Sequence, residues 1–234
     1  MLLADMQFDK VDMLQMIAVA FKTAIDYRRR ALAELRERLR ELLRNREQLT
    51  QEQAQILRDT MAELELEILT ICREMQQTLS HHLIPFSANT ESLIIYYHMQ
   101  GDYLRYACEV GGDRLDEEEY EEDEDDEDYE DPKVRTIRRA EAAYSEGIRL
   151  AQQRLAASHV ARLGIIRDYS LFVFETVGDM ERGMQLVAQA IEAAERDASR
   201  MSREASQVLN ALRDNYAVMV AKATTRLAQQ QQQR

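Results

Sequence analysis

Helix-breaking residues are scarce enough in this chain to constrain its fold class: 234 residues contain only seven glycines and two prolines. Strands and their turns draw heavily on glycine and proline, whereas Ala, Leu, Glu, Arg and Gln, abundant here, are strong helix formers. The composition therefore predicts an all-α protein with short connections, long enough to bury a substantial core in one large domain or two small ones. Apolar spacing agrees. Leu14, Ile17, Phe21, Ala24, Ala31, Leu35, Leu39 and Leu42 recur at intervals of three and four, which marks one helix over 13–43.

A break at 45–48 ends that helix, and Thr50 followed by Gln53 has capping-box spacing for a second helix over 50–83, stopped by Pro85. A third is expected over 90–109, closed by Gly111 and Gly112, and four more over 133–156, 160–177, 180–199 and 202–227. Antiparallel neighbours joined by short turns are the simplest arrangement of seven such helices. The segments divide as 1–112, an acidic insertion over 113–132, a second helical set over 133–228, and a Gln-rich tail over 229–234.

The net charge of −13 is concentrated: residues 116–131 hold 14 of the 43 acidic side chains, and the rest of the chain has 30 bases against 29 acids. Such dense like charge cannot bury apolar surface, so the insertion is expected to be disordered. Eight arginines between Arg28 and Arg46 form a basic stretch, but Glu34, Glu37 and Glu41 interleave with them. That stretch reads as a salt-bridged solvated face, and no nucleic-acid partner is expected. No apolar run approaches the roughly 18 residues that cross a bilayer, and the first ten residues lack a signal's basic and apolar regions. The expectation is the cytoplasm, with the nucleus as a further compartment, and no membrane partner. Cys72 and Cys108 lie within helical patterns and read as buried small hydrophobes.

Four side chains carry the chemistry. Lys22 and Arg29 are seven residues apart, close to two helical turns, and project from one face. Arg105 and Tyr106, inside Gly-Asp-Tyr-Leu-Arg-Tyr at 101–106, set a guanidinium beside a phenol. Two guanidinium forks, an ammonium and a hydroxyl suit a phosphoryl dianion, whose oxygens match bidentate Arg contacts. The competing reading is an internal ion-pair network with acids such as Asp26 and Asp102.

Ala-Val-Ala-Phe-Lys at 18–22 with Arg28 and Arg29, Tyr-Tyr-His-Met-Gln-Gly-Asp-Tyr-Leu-Arg-Tyr at 96–106, Arg-Leu-Gly at 162–164 and Leu-Arg-Asp-Asn at 212–215 together resemble the 14-3-3 family in order and spacing. The similarity runs from Asp12 to Met219 around the acidic insertion. It implies a helical cup that binds phosphoserine or phosphothreonine peptides in an amphipathic groove, an adaptor for phosphorylated client proteins. Lys22, Arg29, Arg105 and Tyr106 fall on the family's phosphate-holding positions, Asn215 on an amide that holds the ligand main chain, and Glu175 on an acid that organises the groove.

Departures from the family pattern cluster in that groove. Asp168 stands where relatives carry a second main-chain-clamping Asn, and an ionised carboxylate accepts hydrogen bonds but donates none. Arg167 replaces an apolar groove residue, His98 a Lys at the rim, Ala33 an Arg, Met219 a large aromatic, and Ala211 shortens an apolar wall. Weaker or altered phosphopeptide binding is the expectation. Relatives also begin with two further helices that form most of the dimer seam. The resemblance therefore implies either a truncated sequence or loss of the usual dimer, leaving a monomer or an atypical dimer, without the avidity of bivalent binding.

His98 reads first as a surface residue, and secondarily as a pH-sensitive rim contact. His81 and His82 point about 100° apart on a helix with no third ligand at fitting spacing, so neither a metal nor another cofactor is expected. There is no glycine-rich phosphate loop and no nucleophile constellation, which argues against an enzyme and leaves no catalytic residue to name. The acidic insertion reads as a solvated spacer, or more sharply as an autoinhibitory strap that imitates a phosphorylated ligand through Tyr120 or Tyr129.

Overall fold

The computed structural model describes residues 10–45, 50–111, 131–197 and 201–232. All seven expected helices are present, and the described residues contain no strand: α1 (Lys10–Arg44), α2 (Gln51–Thr78), α3 (Thr90–Glu109), α4 (Pro132–Arg154), α5 (Val160–Phe172), α6 (Met180–Arg196) and α7 (Arg203–Gln232). α7 runs past Leu227 into the glutamine run, and α6 stops at Arg196, short of Ser199. Gly112, most of the acidic insertion with Tyr120 and Tyr129, and residues 46–49 of the first break lie outside the described residues. No described helix is long and apolar enough to cross a membrane.

The helix starts follow the local chemistry. Thr50 and Gln53 close a reciprocal capping box, with Gln53 N donating to Thr50 Oγ1 at 3.2 Å and Thr50 N to Gln53 Oε1 at 3.1 Å. Asn89 caps α3 by accepting from Ser92 N at 2.8 Å, and Asp131 caps α4 ahead of Pro132 by accepting from Lys133 N at 2.8 Å. Two helices end in π-helical turns that the sequence pattern does not distinguish from ordinary helix: Leu79–Leu83 after α2 and Val173–Val177 after α5. The second closes on Gly178, whose φ of 83° is a left-handed conformation that glycine adopts without strain.

Two compact units result, Met1–Met75 and Gln76–Arg234, with the boundary inside α2. In the first, α1 and α2 bury Ile25, Leu32, Ile68, Leu69 and Cys72. Arg28 pairs with Glu67, and Arg36 with Glu65 at 2.8 Å, so ascending positions on α1 meet descending ones on α2 and the pair is antiparallel.

The second unit is organised around Tyr144 of α4, which is fully buried. Its ring packs against Tyr169 and Phe172 of α5, with centroids 5.3 and 5.9 Å away. α3 can approach because position 101 is glycine: a Cβ there would lie 2.7 Å from the Tyr144 ring. Leu163, Phe174, Val187, Ala194, Leu209, Leu212 and Met219 form a second apolar cluster joining α5, α6 and α7. Cys108 is buried in this unit and Cys72 in the first, as their helical settings predict.

Candidate functional site

α3 lines up His98, Asp102, Arg105 and Glu109 at successive intervals of four, three and four, a single helical stripe. Arg105 is the best-braced member. Its Nε donates to the Tyr144 hydroxyl at 3.3 Å, its Nη1 donates to Glu109 Oε1 at 3.1 Å, and its Nη2 lies 3.7 Å from Asp102 Oδ1. The guanidinium carbon sits 4.6 Å from the centroid of the Tyr106 ring. Burial disfavours the charge on Arg105, but the hydroxyl of Tyr144 and the carboxylate of Asp102 outweigh it and keep the guanidinium firmly protonated. Tyr106 itself is buried and packs edge-on to Tyr103 at 5.7 Å.

Asp168, on α5, is paired with cations rather than facing solvent. Its Oδ1 accepts from Arg167 Nε at 2.9 Å and its Oδ2 from Arg167 Nη2 at 2.9 Å, and His98 Nε2 approaches the same Oδ2 at 2.9 Å. Burial alone would raise the Asp168 pKa, yet the hydrogen bonds from His98 and Arg167 hold it well below the usual carboxylate range. His98 is correspondingly not the surface residue the sequence suggests, since only 22% of its side chain is exposed. It sits with Nε2 between Asp168 and Asp102, whose Oδ2 is 3.6 Å away. Burial works against a charged imidazole here, but Asp102 and Asp168 outweigh it and raise the pKa above 6.5. Asp102 is fixed from its other oxygen by the Tyr144 hydroxyl, which donates to Oδ1 at 2.6 Å. Burial and the Asp102 carboxylate together push the Tyr144 phenol well above its ordinary pKa.

The remaining candidate residues fall in simpler settings. Lys22 and Arg29 belong to the first unit, where Asp26 stands between them on α1, 3.4 Å from Lys22 Nζ and 4.0 Å from Arg29 Nη1. Lys22 is largely exposed and Arg29 partly buried. Glu175, in the π-helical turn after α5, is half exposed and pairs with Lys222 of α7 at 2.7 Å. Asn215, also on α7, is half buried, and Met219 one turn later is buried in the apolar cluster.

Two features of this cluster are not legible in the sequence. Tyr144, the hub linking Asp102 to Arg105, is signalled only by the glycine at 101 that thins α3 beside its ring. The meeting of His98 with Asp168 joins positions 70 residues apart, and no local spacing announces it.

Seven helices among the described residues, with no strand, and a guanidinium over a phenol braced by Asp102 and Glu109 define the class of an all-helical domain. The 14-3-3 protein family model matches residues 5–218, and the chain belongs to the 14-3-3 family. The checkpoint signal transducer rad24 of Schizosaccharomyces pombe is 28% identical over 177 residues, covering 73% of this chain and 58% of that protein. The 14-3-3 protein 7 of Solanum lycopersicum is 29% identical over 161 residues, covering 66% and 56%. The 14-3-3 protein beta/alpha of Bos taurus is 24% identical over 208 residues, covering 87% and 75%. The chain thus spans somewhat over half the length of the first two relatives.

Proposed function

We propose that this chain is a binding protein for phosphoserine- or phosphothreonine-containing segments of client proteins, an adaptor and not an enzyme. By its resemblance to the family, the phosphate falls to Lys22, Arg29, Arg105 and Tyr106, the ligand main chain to Asn215, and a groove-organising role to Glu175. The observation that carries the reading is the state of Arg105. A guanidinium has five N–H donors, and the hydrogen bonds to Tyr144 and Glu109 use two of them. The remainder is held in place at little further entropic cost, which is what preorganised oxyanion recognition requires.

Binding is weakened or altered relative to the family pattern. Asp168 adds a carboxylate where an amide donor would serve the ligand main chain, and it engages Arg167 and His98. Losing one charge-assisted hydrogen bond costs about 1.5–3 kcal/mol, equivalent to roughly ten- to a hundredfold in affinity. A second reading, a groove used without phosphate, draws on the acids already around the cations: Asp26 beside Lys22 and Arg29, and Asp102 and Glu109 beside Arg105.

Alanine substitutions separate the two readings. Under the phosphate reading, Arg29→Ala and Arg105→Ala each lower affinity for a phosphoserine peptide at least about tenfold. Arg40→Ala, which removes an exposed arginine paired with Glu37, leaves it unchanged. Equal affinities across all three variants reject the assignment.

A further inference from the structure

We propose that His98, Asp102 and Asp168 form a binding site for a divalent first-row transition metal of the Zn2+ type. One nitrogen and two carboxylate oxygens, one from each residue, all lie within 4.8 Å of one another. The inference concerns the metal alone and stands independently of the phosphopeptide reading.

The distances suit such an ion. Tetrahedral Zn2+ with bonds of about 2.0–2.1 Å places its ligand atoms about 3.3 Å apart. His98 Nε2 is 2.9 Å from Asp168 Oδ2 and 3.6 Å from Asp102 Oδ2, so these two separations bracket that value, and the two carboxylate oxygens lie within 4.8 Å of each other. Two carboxylates and a neutral imidazole bring two negative charges to a divalent ion, one of them offset by the Arg167 guanidinium on Asp168. The mixed nitrogen and oxygen donors favour Zn2+ or Co2+ over Ca2+, which takes six to eight oxygens, and over Mg2+, which keeps a shell of waters.

The framework around the three ligands is built as metal sites are. His98 and Asp102 are one helical turn apart on α3, a spacing that aims both side chains in one direction, and α5 supplies Asp168 across the helix interface. Each carboxylate is braced through its other oxygen. Tyr144 donates to Asp102 Oδ1 at 2.6 Å and Arg167 Nε to Asp168 Oδ1 at 2.9 Å; Arg167 Nη2 also donates to Asp168 Oδ2 at 2.9 Å, so a metal bound there shares that oxygen with the guanidinium or displaces Nη2 from it. Outer contacts of this kind orient ligands and commonly tune metal affinity by about 10–100-fold. The partial exposure of His98 leaves the fourth position to water.

Titration of Zn2+ into the full chain, freed of affinity tags and treated with chelator, tests the proposal by calorimetry. One equivalent should bind, Co2+ should give the visible absorption of a tetrahedral site, and the His98 imidazole nitrogen resonance should shift with the added metal. His98→Gln and Asp168→Asn should abolish stoichiometric binding. Tyr144→Phe, which removes a brace and no ligand, should weaken it about 10–100-fold. The double variant His81→Gln/His82→Gln, at the exposed turn after α2, should bind as the unmodified chain does. A His98 resonance unmoved by saturating Zn2+ overturns the proposal without any variant, so a misfolded substitution cannot obscure the result. Undiminished binding by His98→Gln, or binding lost only with His81 and His82, overturns it equally.

Discussion

Replacing Asp168 by Asn changes one atom and tests whether its carboxylate is a structural anchor that the groove carries at the expense of ligand binding. The carboxylate is the meeting point of three polar contacts at 2.9 Å, two from Arg167 and one from His98, in a residue only 9% exposed. An Asn side chain accepts through one oxygen only, so the bidentate fork with Arg167 loses a member and the remaining contacts lose the carboxylate's charge. A hydrogen bond to a charged group contributes about 1.5–3 kcal/mol. Arg167 keeps about a third of its side chain in water, which rehydrates and offsets part of the loss, so about 2 kcal/mol is expected. For a unit of this size that corresponds to a fall in melting temperature of about 4–8 °C. Differential scanning calorimetry in chelator measures it, and the double variant Asp168→Asn/His98→Gln should fall short of additivity by about 1 kcal/mol or more. Phosphopeptide affinity should move the other way, rising about tenfold as a donor replaces a like charge. A melting temperature within a degree of the unmodified chain, or fully additive single variants, would refute the anchor argument.

Three further outcomes follow from the packing and the acid chemistry. Gly101→Ala drives a methyl group to 2.7 Å from the locked Tyr144 ring, and overpacking should outweigh the gain in helix propensity, for a net loss of about 1–2 kcal/mol in thermal or denaturant unfolding. Gly164→Ala, whose new Cβ meets only His98 Cε1 at 3.7 Å, should stabilise by about 0.5–1 kcal/mol in the same assay; equal signs at the two positions would contradict the packing. Burial pushes the Cys108 thiol up to about 11 from 9.0, so the folded state resists forming the thiolate. Stability from this group is present below pH 9 and lost as pH rises from 9 toward 11. Cys108→Ala should flatten that alkaline decline, and alkylation of Cys108 at pH 7 should be slow; rapid labelling of the folded chain would show the thiol is not buried.

Legibility in the sequence followed the range of the interaction. Helix positions were set by neighbours a few residues apart, such as Thr50 with Gln53 and Pro85 after Leu83, and these were readable. The helix class of 79–83 and 173–177 was not, because a π-helical turn differs by one residue of hydrogen-bond register and leaves the apolar stripe almost unchanged. Arg105 and its acid neighbours Asp102 and Glu109 share one helix face, so their pairing could be anticipated from spacing. The pairing of Asp168 with His98 depends on α3 meeting α5, a packing decision made largely by Tyr144 of α4, which sits against Gly101 and Tyr169 and is far from both His98 and Asp168 in the chain. His98 therefore reads as a surface residue in the sequence, although only 22% of its side chain is exposed once the helices pack.

Recognition of a phosphate by Lys22, Arg29, Arg105 and Tyr106 is the central proposal. Titrating one serine peptide in phosphorylated and unphosphorylated form, by fluorescence anisotropy or calorimetry, tests this most directly. The prediction is a Kd ratio of at least about a hundred, the equivalent of about 2.7 kcal/mol for two or more charge-assisted hydrogen bonds. Equal affinity for the two peptides would contradict it.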